Sequence, residues 1–112
     1  MSAKKTIFIV EDHPLFRDML VEVINNESNM TVCGEADNVI DALSSIKLVQ
    51  PDAAIIDLNL IGSCGLELIK SIRAHQIQIS LLVLSMHDEN LYAERYLNWR
   101  HLMRLLKRSI GF

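Results

Sequence analysis

No stretch of this chain approaches the roughly 18 consecutive apolar residues that cross a bilayer. The first residues lack the hydrophobic region of a signal peptide, so a soluble, cytoplasmic protein is expected. Cysteine is nearly absent: Cys33 and Cys64 are the whole complement. One pair in a chain of this size reads as two free thiols rather than a disulfide framework. No repeat, linker or low-complexity segment interrupts the 112 residues, which leave room for one domain and a single core. Acid is missing from the end of the chain. Residues 95–112 carry no Asp or Glu but hold Arg95, Arg100, Arg104, Lys107 and Arg108, whereas residues 1–94 hold all 14 acids. The acidic body repels a phosphate backbone, which argues against direct nucleic-acid binding, and the basic tail reads as a solvated helix face.

What the chain does have is apolar residues, half of its composition. They concentrate in short runs that end in polar groups. Ala53-Ala54-Ile55-Ile56 runs into Asp57, with turn residues Gly62, Ser63 and Gly65 close behind. Thr6-Ile7-Phe8-Ile9-Val10 ends in Glu11-Asp12, and Ile79-Ser80-Leu81-Leu82-Val83-Leu84 ends in Ser85. Continuous apolar runs of this length read as strands covered on both faces, as in a parallel sheet. If the three lie parallel, Glu11, Asp12, Asp57 and Ser85 converge on one rim, where open α/β sheets place their ligands.

Helices alternate with these strands. His13-Pro14 opens the first, proline suiting a first-turn position, with Leu15, Met19, Leu20, Val23 and Ile24 as its apolar stripe. Residues 25–29 end it, and Met30–Ala36 forms a weaker strand nearer the sheet edge. Asp37-Asn38 precedes a second helix carrying Val39, Ile40, Leu43 and Ile46, stopped by Pro51. Leu66, Leu68, Ile69 and Ile72 mark a third. Alternation with short connections predicts a doubly wound α/β sheet.

The segments Glu11-Asp12-His13-Pro14-Leu15-Phe16-Arg17, Gly34-Glu35-Ala36, Asp57-Leu58-Asn59-Leu60, Gly65-Leu66-Glu67 and Leu84-Ser85-Met86-His87-Asp88 together resemble the receiver domain of bacterial two-component response regulators. The His-Pro-Leu-Phe-Arg and Ser-Met-His-Asp runs look most like regulators with a LuxR-type helix-turn-helix output domain. The resemblance covers residues 4 to about 97. It implies a flavodoxin-like, five-stranded parallel sheet. It also implies that Asp57 accepts a phosphoryl group from a histidine kinase, a carboxylate being able to attack phosphorus and hold the group covalently. Mg²⁺ would be bound by Glu11 and Asp12, directly or through water, with Asp57 and the Asn59 backbone carbonyl. Ser85 would be the switch residue that hydrogen-bonds the phosphoryl group, and His87 occupies a position that tunes dephosphorylation. Such a domain is not a dedicated enzyme. No general base stands beside a nucleophile, which sets a hydrolytic enzyme aside. His13 lacks a second ligand at helical spacing, and the five methionines read as core filling.

The chain departs from the family in two places. Leu60-Ile61 stands where relatives carry a proline, which loosens that loop. After Leu97 the small-residue turn and the aromatic of a fifth strand are missing, and no fifth helix follows. The expected organisation is therefore a receiver over residues 1–97 and an atypical tail over 98–112, with no output domain. Lys107 stands 22 residues after Ser85, the spacing of the family's phosphoryl-pairing lysine, and Leu105-Leu106 would then be a stub of the fifth strand. The competing reading is a helix: Tyr92, Tyr96, Trp99, Met103, Leu106 and Ile110 repeat at heptad-like spacing. That spacing predicts one helix over 88–110, continuing the fourth, with its Trp99–Met103–Leu106 face buried against another subunit. A homodimer or domain-swapped oligomer would follow. So would an alternative function, a degenerate receiver acting as a phosphorylation-independent dimerisation module.

Overall fold

The computed structural model describes residues 4–58, 60, 64–84 and 99–111. Four strands, β1 (Lys5–Val10), β2 (Met30–Ala36), β3 (Ala53–Asp57) and β4 (Ser80–Leu84), form one parallel sheet in the order β2-β1-β3-β4. Among the described residues four helices accompany them: α1 (Pro14–Asn25), α2 (Val39–Val49), α3 (Gly65–Ala74) and α4 (Trp99–Ser109). The two central strands, β1 and β3, are the most buried, β3 along its whole length. Successive side chains of a strand point to opposite faces, so β1 and β3 feed two cores. Ile7, Ile9, Ala53 and Ile55 face α1 and α4, while Phe8, Val10, Ala54 and Ile56 face α2 and α3.

Local chemistry sets the helix starts. The backbone N–H of Phe16 donates to His13 Nδ1 at 3.3 Å, and Pro14 follows in the first turn, its missing N–H costing nothing there. Asn38 caps α2, accepting from the Asp41 N–H at 2.9 Å. That helix ends on Gln50 in the left-handed region (φ 53°), and Pro51 follows. In β2 the pairing with β1 slips by one residue at Cys33. Gly34 then lies against the Phe8 ring, where a Cβ would come within 2.7 Å of Cε2.

The cap fixes the phase of α1. Phe16, Leu20 and Ile24 are buried at i, i+4 and i+8, whereas Leu15, about 100° away around the helix, is exposed. The expectation that Leu15 belongs to the stripe is corrected to Phe16. In α2 the buried pair is Ala42 and Ile46, and Ile40, on the opposite side, is 81% exposed rather than core. In α3, Leu68 and Ile72 face inward and Leu66 outward.

The tail is helical over its described part, as the heptad-like spacing predicts, but what covers it differs from expectation. Trp99–Ser109 is helical, so Leu105-Leu106 is not a strand stub, and the described residues contain no fifth strand. Met103 and Leu106 are buried, but in the chain's own core, beside Ile7, Ile9, Phe16, Leu20 and Ile24. The described part of the seam predicted to need a second subunit, Met103 and Leu106, is therefore covered within one chain: α4 fills the layer beside α1. Two contacts fasten it, Lys107 Nζ to Glu27 Oε2 at 3.0 Å and the Ser80 hydroxyl donating to the Ser109 carbonyl at 3.0 Å. Residues 85–98, over which the spacing predicts that this helix begins, and the Trp99 side chain lie outside the described residues.

Candidate functional site

Strand register assembles the site. Val10 pairs with Ile56, so the next residues, Glu11 just past β1 and Asp57 at the end of β3, emerge side by side at the carboxyl ends of the two central strands. Asp12 follows on the loop. One carboxylate oxygen from each of Glu11, Asp12 and Asp57 lies within 4.8 Å of the others. Glu11 and Asp57 are each 1% exposed, and Asp12 is half-buried. Burying carboxylates is costly unless donors or a cation meet them. One donor is local, the His13 N–H to Glu11 Oε2 at 3.2 Å. The rest of the donor set is hard oxygen, which suits Mg²⁺ or Ca²⁺ rather than a thiophilic metal. The three residues thus form an acidic cluster fit to hold a cation.

The surroundings hold Asp57 in place. The Leu58 N–H donates to the Leu84 carbonyl at 2.9 Å, and the Gly65 N–H to the Leu58 carbonyl at 3.2 Å. The start of α3 packs so closely on the end of β3 that a Cβ on Gly65 would fall 2.3 Å from the Asp57 carbonyl oxygen. Only glycine permits that approach. On the other side, Arg17 Nη1 donates to the Glu11 carbonyl at 2.8 Å, and its Nε lies 3.2 Å from Glu35 Oε1.

The structure brings together three of the residues singled out in the sequence, Glu11, Asp12 and Asp57. Asn59, Ser85 and His87 lie outside the described residues. His13 is a helix cap. Lys107 requires correction: it is paired with Glu27 just past the far end of α1. That helix of 12 residues spans about 18 Å, so the lysine stands at the opposite pole from the acids. Cys33 and Cys64 are both free, as read from the sequence, and burial pushes the Cys33 thiol up. From the sequence, Arg17 has no role assigned and Gly65 reads only as a turn residue. The signal for Arg17 was an arginine one helical turn after an acid pair, with a glutamate at the end of the neighbouring strand.

Comparison with known proteins agrees with this geometry. The family model of the response regulator receiver domain matches residues 7–109, which takes in α4. The chain is 31% identical over 87 residues to the nitrate/nitrite response regulator protein NarL of Escherichia coli, covering 76% of this chain and 40% of the relative. It thus spans about two fifths of the length of the curated relatives it matches. The solved signal receiver domain of response regulator NarL from Mycobacterium tuberculosis superposes with a TM-score of 0.72 at 31% identity, covering 87% of this chain and 78% of that one. The response regulator domain of Thermotoga maritima CheB gives a TM-score of 0.82 over 97% of this chain and 98% of that one, and at 17% identity speaks for the fold alone. The flavodoxin-like sheet, the acidic rim and the family match converge: the chain belongs to the response regulator receiver domain family.

Proposed function

We propose that the chain is a phosphoacceptor switch in which Asp57 takes a phosphoryl group from a histidine kinase. The observation that carries this reading is the placement of buried Asp57 with the Glu11 and Asp12 carboxylates around it. An Asp57 carboxylate oxygen attacks phosphorus and the bond from phosphorus to the donor's imidazole nitrogen breaks. The result is an acyl phosphate on Asp57, while the leaving imidazole takes up a proton from solvent. Glu11 and Asp12, with Asp57 and the Asn59 backbone carbonyl, are the residues that would hold Mg²⁺. The ion, when bound, supplies neutralisation of charge on the transferring phosphoryl oxygens.

Ser85 follows Leu84, the strand partner of Asp57, which supports its reading as the hydroxyl that bonds the phosphoryl group after transfer. His87, two residues on, is read as tuning the loss of that group. The chain itself acts as a signalling module rather than a dedicated enzyme. In a longer protein like the NarL relatives, the phosphorylated form would govern a DNA-binding part. The alternative of a phosphorylation-independent dimerisation module drew its support from the tail, whose Met103 and Leu106 are buried within the chain's own core.

The test is incubation with a small phosphodonor and Mg²⁺. One acid-stable, base-labile phosphoryl group should appear on the wild-type protein and none on Asp57→Asn. Undiminished labelling of Asp57→Asn would remove Asp57 from the role.

A further inference from the structure

Glu11 and Asp12 are joined by one planar peptide unit, so the direction of the Glu11 carbonyl sets the plane from which both acids project. The Glu11 N–H continues the sheet, donating to the Ala36 carbonyl at 3.0 Å. Its carbonyl instead accepts from Arg17 Nη1 at 2.8 Å. The same guanidinium is held from the other side, Nε lying 3.2 Å from Glu35 Oε1 at the end of β2. The Arg17 side chain is 19% exposed, and its backbone N–H donates to the His13 carbonyl at 2.9 Å in the first turn of α1. His13 N–H in turn donates to Glu11 Oε2. These bonds close a ring over residues 11–17, with the arginine as its clasp.

We propose that Arg17 is a positioning residue for the cation site: it clamps the Glu11–Asp12 peptide to the carboxyl end of β2 and so aims both carboxylates toward Asp57. This rests on the reading of the rim as a Mg²⁺ site. A planar guanidinium presents its donors in a fixed fork, so one group satisfies a carboxylate and a carbonyl at a set angle. A lysine ammonium has the charge without the fork. The alternative, that Arg17 acts only through its charge, makes the opposite prediction. A fixed positive charge beside a cation site repels the cation, so by Coulomb's law its removal tightens Mg²⁺ binding. Loss of positioning weakens it.

The sign of the change is therefore the test. Mg²⁺ alone is titrated by calorimetry into the full chain as wild type, Arg17→Ala and Arg17→Lys, and the Mg²⁺-free stability of each is measured in urea. Arg17→Ala should weaken Mg²⁺ binding about tenfold or more, the usual cost of losing a group that orients metal ligands. Arg17→Lys, which keeps the positive charge, should weaken it in the same direction. Equal or tighter binding by Arg17→Ala overturns the proposal. If Arg17→Ala fails to fold without Mg²⁺, Arg17→Lys decides: wild-type affinity there overturns the proposal, and weakened affinity in a folded variant upholds it. A wild-type chain that binds no Mg²⁺ overturns the reading of the rim, and this proposal with it, an outcome visible before any variant is made.

Discussion

At the scale of single residues, the site is built by close approach as much as by charge. Alone, an Asp at the end of an apolar run reads as the start of a turn. Asp57 was legible in the sequence because two further apolar runs end in Glu11-Asp12 and Ser85, which a parallel sheet brings to the same rim. Gly65 was legible only as a turn residue. Its real constraint is the Asp57 carbonyl 2.3 Å from where a Cβ would sit, a contact between segments that no local pattern encodes. Backbone is the obstacle, so neither partner can rotate out of the way. Gly65→Ala should therefore push α3 off the end of β3. The expected cost is about 3 kcal/mol, the upper part of the range for overpacking, together with slower phosphoacceptance at Asp57. Urea denaturation and the labelling rate check the two effects separately. If both match wild type, the end of β3 is looser than described.

At the scale of elements, strands and caps were readable and helix faces less so. The apolar runs placed β1, β3 and β4, and His13-Pro14 and Asp37-Asn38 placed the starts of α1 and α2. The faces went astray where a small or aromatic residue held the inward position. Ala42 carries little hydrophobic signal yet is buried, and Ile40 carries much yet is exposed. The tail shows a different limit. A heptad-like seam announces that one side of a helix is covered, but its residues do not say by what. Here the cover is the sheet and α1 of the same chain. Leu106, fully buried among Ile7, Ile9 and Leu20, measures that attachment. Leu106→Ala should cost about 3 kcal/mol through lost burial and the cavity left behind. Because the seam is internal, the destabilisation should not depend on protein concentration. A midpoint that rises with concentration would return the seam to an interface between copies.

At the scale of the whole molecule, the acidic rim and the Lys107–Glu27 pair stand at opposite poles. Three carboxylates meet at the carboxyl ends of the strands, and the basic helix is fastened near the far end of α1 through Lys107 and Glu27. Like charges this close repel one another, and a cation bound among them relieves that repulsion. Asp12, half-buried beside two fully buried acids, is the member that can be removed with least loss of packing. In metal-free buffer Asp12→Ala should be at least as stable as wild type, because one like-charge pair with each neighbour disappears. Mg²⁺ should act in the opposite sense. A cation that binds only the native state contributes about 2.7 kcal/mol at a hundred times its dissociation constant. For a domain of this size that corresponds to a rise in melting temperature of roughly 10 °C. Wild type should show the rise, and Asp12→Ala should lose most of it. Thermal melts of both proteins with and without Mg²⁺ read the two signs in one experiment. An equal rise in both would exclude Asp12 from the ligand set, and lower stability of Asp12→Ala without metal would show that its carboxylate supports the fold rather than straining it.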